Sequence, residues 1–192
     1  ATEVFGDQVR PRIYREPGRN WYQVFLTSTQ HLTHGVQSPV RVWLDELGVF
    51  GLRSYEKRVP AKVFQQPANA IALFLRHLWA TDGHIGLKVS TSGQYPNIFY
   101  ATSSPRLAHD VASLLLRLGI HATIRQTPQV GKGLDQYPVY ITGRQEIELF
   151  LRMINAVSEE KRAKANLVLQ HIGNRSSSSK RDFIPKSVWD EH

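Results

Sequence analysis

Residues 75–83 read Leu75-Arg76-His77-Leu78-Trp79-Ala80-Thr81-Asp82-Gly83, and this stretch decides the fold. It closes an apolar-periodic run from about Ala68 to Thr81, which predicts a helix. Asp82-Gly83 is the stop. Residues 84–92 then alternate, with Ile85, Leu87 and Val89 on one face and Lys88 and Ser90 on the other, the period of a strand. A long helix that runs through an acid and a glycine straight into a strand is the unit from which the rest is read.

Towards the C-terminus, residues 95–103 form the partner strand. Ser104-Pro105 opens a second helix, because serine caps a helix start and proline suits the first helical position. Leu107, Val111, Leu114, Leu115 and Leu118 recur at helical spacing, and Gly119 ends the run. Strands at 121–127 and 137–142, joined by the loop Gln129–Asp135, precede a third helix from about Gln145 to Ala156. The order from residue 68 is α-β-β-α-β-β-α, and residues 157–174 add one more helix.

Towards the N-terminus, Val9–Glu16 and Asn20–Ser28 read as a hairpin turned at Pro17-Gly18. Ser38-Pro39 opens a helix with Val42, Trp43, Leu44 and Leu47 on its apolar side, ended by Gly48. This β-β-α order repeats the last three elements of the later unit. Residues 48–68 connect the two. The basic, serine-rich stretch 174–182 has the composition of a linker. The tail FIPKSVWDEH mirrors the earlier RVPAKVF, a second sign of duplication.

Composition narrows the function classes. The 192 residues include no cysteine, which excludes disulfide scaffolds, thiolate zinc sites and cysteine nucleophiles. His31-x-x-His34 has metal-like spacing but lacks further ligands beside it. No apolar run reaches the ~20 residues of a membrane helix. The first residues lack the pattern of a secretory signal, so the expected location is cytoplasmic, with nucleoid association and no membrane. Lys and Arg number 24 against 16 acids, a formal charge of +8 that favours a polyanionic partner such as nucleic acid.

Leu75 to Gly83 resembles the signature of LAGLIDADG homing endonucleases: two leucines, small or apolar interior positions, and the terminal Asp-Gly. The segments from Leu52 to Pro60 and from Tyr100 to Ala122 are similar to those flanking this motif in endonuclease domains carried by inteins. Arg181 to Trp189 is similar to the return segment of inteins in bacterial replicative DNA helicases. The resemblance implies an α+β fold: a LAGLIDADG αββαββα half, preceded by a partial ββα half, with a β-saddle for DNA. It places residues 1–60 in the first half plus linker, and residues 61–192 in the second half with its return segment.

The resemblance also implies chemistry, namely Mg²⁺-dependent, sequence-specific cutting of double-stranded DNA in intein homing. Mg²⁺ prefers oxygen ligands and binds through one or two carboxylates plus water and phosphate. Asp82 is the expected carboxylate, with Gly83 beside it. Lys57 matches the basic residue just upstream of the second motif, and Arg181 or Lys180 is its expected equivalent before Pro185. Strand faces would read DNA, since a two-stranded ribbon fits the major groove. The outward candidates are Arg10, Arg12, Tyr14 and Gln23, then Lys88, Ser90, Gln94 and Asn97, then Arg125, Gln126, Lys132, Gln136 and Tyr140.

The sequence departs from the family pattern in three ways. Such enzymes pair two motif helices, and only one is found; Trp43 to Gly48 lies too close upstream to be a complete second copy. His77 stands where the family has glycine and would crowd a symmetric helix seam. Ala1 and His192 are not the residues that intein splicing needs at its ends. A truncated, split or homodimeric enzyme remains open, with a complementary half or a second copy as partner. A cleavage-inactive DNA-binding fragment of the same fold is the alternative.

Overall fold

The computed structural model describes residues 2–19, 21–91, 93–131 and 133–173. The chain divides into two compact units, Ala1–Arg53 with Pro60–Lys62, and Ser54–Val59 with Val63–His192.

The first unit opens with α1 (Thr2–Phe5) and a 3-10 turn at Gly6–Gln8. The hairpin of β1 (Val9–Arg15) and β2 (Tyr22–Ser28) follows, and then α2 (Pro39–Glu46). The hairpin pairs Arg10 with Thr27, Arg12 with Phe25 and Tyr14 with Gln23. Its two strands form a sheet by themselves. The face opposite Arg10 and Arg12 carries Ile13 and Val24, which are 74% and 65% exposed. Ser38 precedes α2 as expected, but its side chain makes no capping hydrogen bond.

The second unit carries the expected order. After α3 (Ala61–Phe64), which spans the boundary between the units, come α4 (Ala68–Asp82), β3 (Gly83–Ser90), β4 (Gly93–Tyr100) and α5 (Pro105–Arg117). Then follow β5 (Thr123–Ile124), β6 (Val139–Ile141), α6 (Arg144–Met153) and α7 (Glu159–Gly173). The sheet is antiparallel in the order β3-β4-β6-β5.

The helices form because their apolar residues recur on one side. Ile71, Ala72, Leu75 and Trp79 of α4 are buried, as are Leu107, Val111, Leu114 and Leu115 of α5. They meet the inward residues of the sheet, Ile85, Ile98 and Ile141, which register places side by side. Trp79 sits at the centre, its ring 5.0 Å from Phe150 and 5.5 Å from Tyr100. Ser104 caps α5, its hydroxyl accepting from the Leu107 N–H at 3.1 Å. Gly119, at φ +77°, supplies the left-handed turn that ends it.

Gly83 is required for a different reason from a helix stop. Its φ of −86° and ψ of 148° are extended, so β3 begins with no left-handed residue between it and α4. A Cβ at 83 would overlap the Trp79 indole and lie 2.7 Å from the Trp79 Cα. The glycine is there because the strand leaves the helix against its own tryptophan.

Candidate functional site

The outward end of α4 gathers four polar or titratable side chains from separate elements. Asp82 ends the helix and is exposed; the Thr81 hydroxyl lies 3.5 Å from its carboxylate and donates to the Leu78 carbonyl at 2.9 Å. Tyr100, at the end of β4, pairs with Gly83. Burial first, and then the Asp82 charge, pushes its phenol up to about 12. His84 is the next residue along β3, and burial lowers its pKa, helped by the positive charges of Lys164 and Lys161.

Lys161, in the first turn of α7, completes the group. Its ammonium donates to the carbonyl oxygens of Trp79 at 2.8 Å, Ala80 at 2.9 Å and Gly83 at 2.8 Å. The last four carbonyls of a helix lack partners within it, and the dipole makes that end negative. Asp82 adds a full negative charge there, and Lys161 is the cation that offsets both. Burial lowers the ammonium's pKa, while Asp82 and Glu160 pull it up.

The Asp82 carboxylate is an oxygen donor of the kind a hard divalent cation takes, whereas the carbonyls beside it are held by Lys161. Among the described residues no three His, Cys, Asp or Glu side chains cluster as a metal site. Asp82 is the carboxylate that the end of α4 itself brings to this point. The Gly83 carbonyl, the other expected metal position, is bonded by Lys161.

The remaining sequence candidates fall into distinct places. Lys57 belongs to the second unit, and its main chain is tied to the start of α5: its carbonyl accepts from the Ser104 hydroxyl at 2.6 Å. Two residues on, the Val59 N–H donates to the buried Asp110 carboxylate at 3.0 Å. These bonds tie the Lys57 strap to α5, and Lys161 adds a basic side chain on the α4–β3 junction. Lys180 and Arg181 lie outside the described residues, as does Lys132.

Arg10, Arg12, Tyr14 and Gln23 share one face of the first hairpin. On the larger sheet, Lys88 pairs with Tyr95, and Asn97 with Gly86, on the face away from the core. Ser90 shares that face and closes the turn by donating to the Gly93 carbonyl at 2.9 Å. Gln94 is a correction: it pairs with Val89, so it lies on the face that carries Ile85 and Leu87. Arg125 is exposed with its guanidinium 5.1 Å from the Tyr140 ring. Gln126 donates its amide to Asp135 at 2.8 Å, which ties it to the connecting loop and away from the open face. Gln136 bridges Thr127 beyond the ends of β5 and β6, and its amide donates to the Leu134 carbonyl at 3.3 Å.

Three residues were missed by the sequence reading. His84 and Phe99 lie opposite each other on the outward face, with rings 5.1 Å apart, and were hidden because aromatic residues suggest core. Lys161 had a detectable signal: it shares the helical stripe of Ala165, Val168 and Ile172, which are buried. A lysine on an apolar stripe asks for a partner.

The family comparison now has a structure to attach to. A model described as LAGLIDADG-like domain matches residues 69–155. Residues 69–155 are a LAGLIDADG-like domain. The chain is 52% identical over 189 residues to the replicative DNA helicase DnaB of Nostoc sp., covering 98% of this chain and 21% of that protein. The match to the Synechocystis sp. protein of the same name is 50%, again covering 98% and 21%. The chain thus spans about a fifth of the length of these curated relatives. A solved structure of the homing endonuclease I-CvuI, in complex with the I-CreI target, covers 64% of this chain and 92% of that one at 15% identity, with a TM-score of 0.39. Among the described residues no helix is long and apolar enough to cross a membrane.

Proposed function

We propose that this chain is the DNA-reading and acid-bearing part of a LAGLIDADG-type homing endonuclease, carried as an intein insert in a replicative DNA helicase. Its substrate is double-stranded DNA, which it recognises by sequence and hydrolyses at phosphodiester bonds. The observation that carries this reading is the end of α4, where Asp82 is exposed on a helix end whose carbonyls the Lys161 ammonium holds.

Asp82 would hold a Mg²⁺ ion together with water and phosphate oxygens. When bound, Mg²⁺ makes water nucleophilic at neutral pH and draws charge from the phosphate. Lys161 compensates the negative helix end and fixes the strand exit. Lys88, Asn97, Arg125 and Tyr140 are the DNA-facing candidates of the sheet; Arg10, Arg12, Tyr14 and Gln23 are those of the hairpin, in the other unit. Arg, Lys and Asn suit base edges, and the charges of Arg and Lys suit phosphate. Lys57, Gly83, Lys180 and Arg181 remain assigned by resemblance alone, and Lys132 by its place between the last two strands.

A second reading is supported by a specific observation. The helix that ends in Asp82, α4, leaves Leu73, His77 and Thr81 exposed at intervals of four residues. That free stripe suits a second motif helix bringing its own acid, from a complementary half or a second copy. Without it the chain would bind DNA and not cut.

The test uses the purified chain, Mg²⁺ and a plasmid with an intein-less helicase insertion site. Linearisation that is lost in Asp82→Asn, with DNA retention kept, supports the nuclease reading. Specific retention without cutting by the wild-type chain supports the second. Cutting that survives Asp82→Asn removes Asp82 from the mechanism, and no retention of DNA removes both readings.

A further inference from the structure

Three aromatic rings cross the outward face of the larger sheet in one row. Register sets His84 opposite Phe99 and Phe99 opposite Tyr140. The His84 and Phe99 rings are 5.1 Å apart and nearly parallel, and Phe99 and Tyr140 are 5.4 Å apart. The Arg125 guanidinium lies 5.1 Å from the Tyr140 ring and ends the row. All three ring residues are half-buried, whereas Ile85, Ile98 and Ile141 on the other face are fully buried. The row is therefore not core; it is an apolar strip on a face that also carries Lys88, Tyr95 and Asn97.

The strip begins two residues after Asp82. Lys88 is four residues further along β3 than His84, about 13 Å at the rise of a strand. That is the span of about four base pairs. Along the sheet, then, an apolar zone lies beside the acid and a polar zone lies further out. In the major groove the apolar group that tells one base pair from another is the thymine 5-methyl. Stacked rings have few rotatable bonds and offer it a rigid surface.

Building on the DNA-binding reading above, we propose that His84, Phe99 and Tyr140 are specificity-determining residues that recognise thymine by its methyl group, in the base pairs next to the cut. Lys88 and Asn97 read by hydrogen bonding further out.

The test alters the DNA first, so that protein folding is not in question. Duplexes retained by the full chain are selected from a random pool. Each thymine of the selected site is then replaced by deoxyuridine, which lacks only the methyl. At one or more thymines beside the cut, the substitution should weaken binding about fourfold, the value of one buried methyl-sized group. In Phe99→Ala, checked for folding by circular dichroism, the same substitution should have no effect. Wild-type binding that ignores every substitution overturns the proposal, and so does a loss that persists undiminished in Phe99→Ala and Tyr140→Ala. Either result leaves the DNA-binding reading intact. A chain that retains no DNA removes that reading, and the strip's role falls with it.

Discussion

Replacing Lys161 by methionine keeps an apolar stem of similar reach and removes the ammonium. Three hydrogen bonds to carbonyl oxygens are lost together. Bonds to a charged group contribute about 1.5–3 kcal/mol each, but three from one atom do not add. The cation's interaction with the helix end contributes about 0.3–1 kcal/mol more. Lys161 is only half-buried, so water can reach part of the exposed site and relieve some of the loss. The net expectation is a destabilisation of about 3 kcal/mol. With a urea slope of about 2 kcal/mol/M, the midpoint should fall by about 1.5 M at unchanged slope. Lys161→Arg should recover part of this, because the planar guanidinium can meet some of the carbonyls but not converge on all of them. The assay is urea unfolding followed by tryptophan fluorescence. A midpoint shift within the ~0.5 kcal/mol typical of surface substitutions, in Lys161→Met, would refute the capping role.

Gly83→Ala should destabilise the second unit by about 1–3 kcal/mol, since its Cβ enters the space of Trp79; a thermal melt with no fall would contradict that packing. Tyr100 links stability to alkaline pH. Its phenol is harder to ionise when folded, so its contribution is complete below pH 10 and is lost as pH rises towards about 12. Tyr100→Phe should flatten the stability profile in that window, and an unchanged slope would place the alkaline loss elsewhere. Lys88→Ala should weaken DNA binding and lower the salt slope by about one, while Gln94→Ala on the opposite face leaves both unchanged; equal effects would mean the sheet does not present one face. Amide exchange should be faster in β1 and β2 than in β3, β4 and β6, because a two-stranded hairpin with apolar residues open to water is marginal alone. Slow exchange in the first hairpin would contradict this.

The helices and strands of the second unit were legible because each has a local cause: apolar spacing in α4 and α5, Ser104-Pro105 at a start, Gly119 at a stop. Asp82 was found because it ends such a helix. Non-local facts were not legible. The face of Gln94 follows from pairing Ser90 with Gly93, which alternation along one strand cannot supply. Gly83 read as a helix stop because glycine usually is one; its real constraint is a tryptophan one turn back that only packing reveals. Lys161 bonds to carbonyls 78 to 82 residues away, and no spacing rule announces that.

Two helix ends of the second unit, those of α4 and α6, are closed by cations borrowed from other elements. Arg76, on α4, donates to the Ile154 carbonyl at 2.6 Å, just past α6. Arg162, on α7, donates to the Ala156 carbonyl at 3.0 Å, and its neighbour Lys161 closes the end of α4. The Arg76 and Lys161 bonds satisfy carbonyls that helices leave open, and the Arg162 bond holds the connection between α6 and α7. Asp82 stands in the last turn of α4, so whatever holds that turn sets where the carboxylate points. Part of what holds it is α7, residues 159–173, beyond the stretch 69–155 that the family model matches. A chain ended at 155 would keep the motif and lose Lys161. It would also expose the core that Ala165, Val168 and Ile172 cover. The physical unit that positions Asp82 is therefore longer than the family unit that names it.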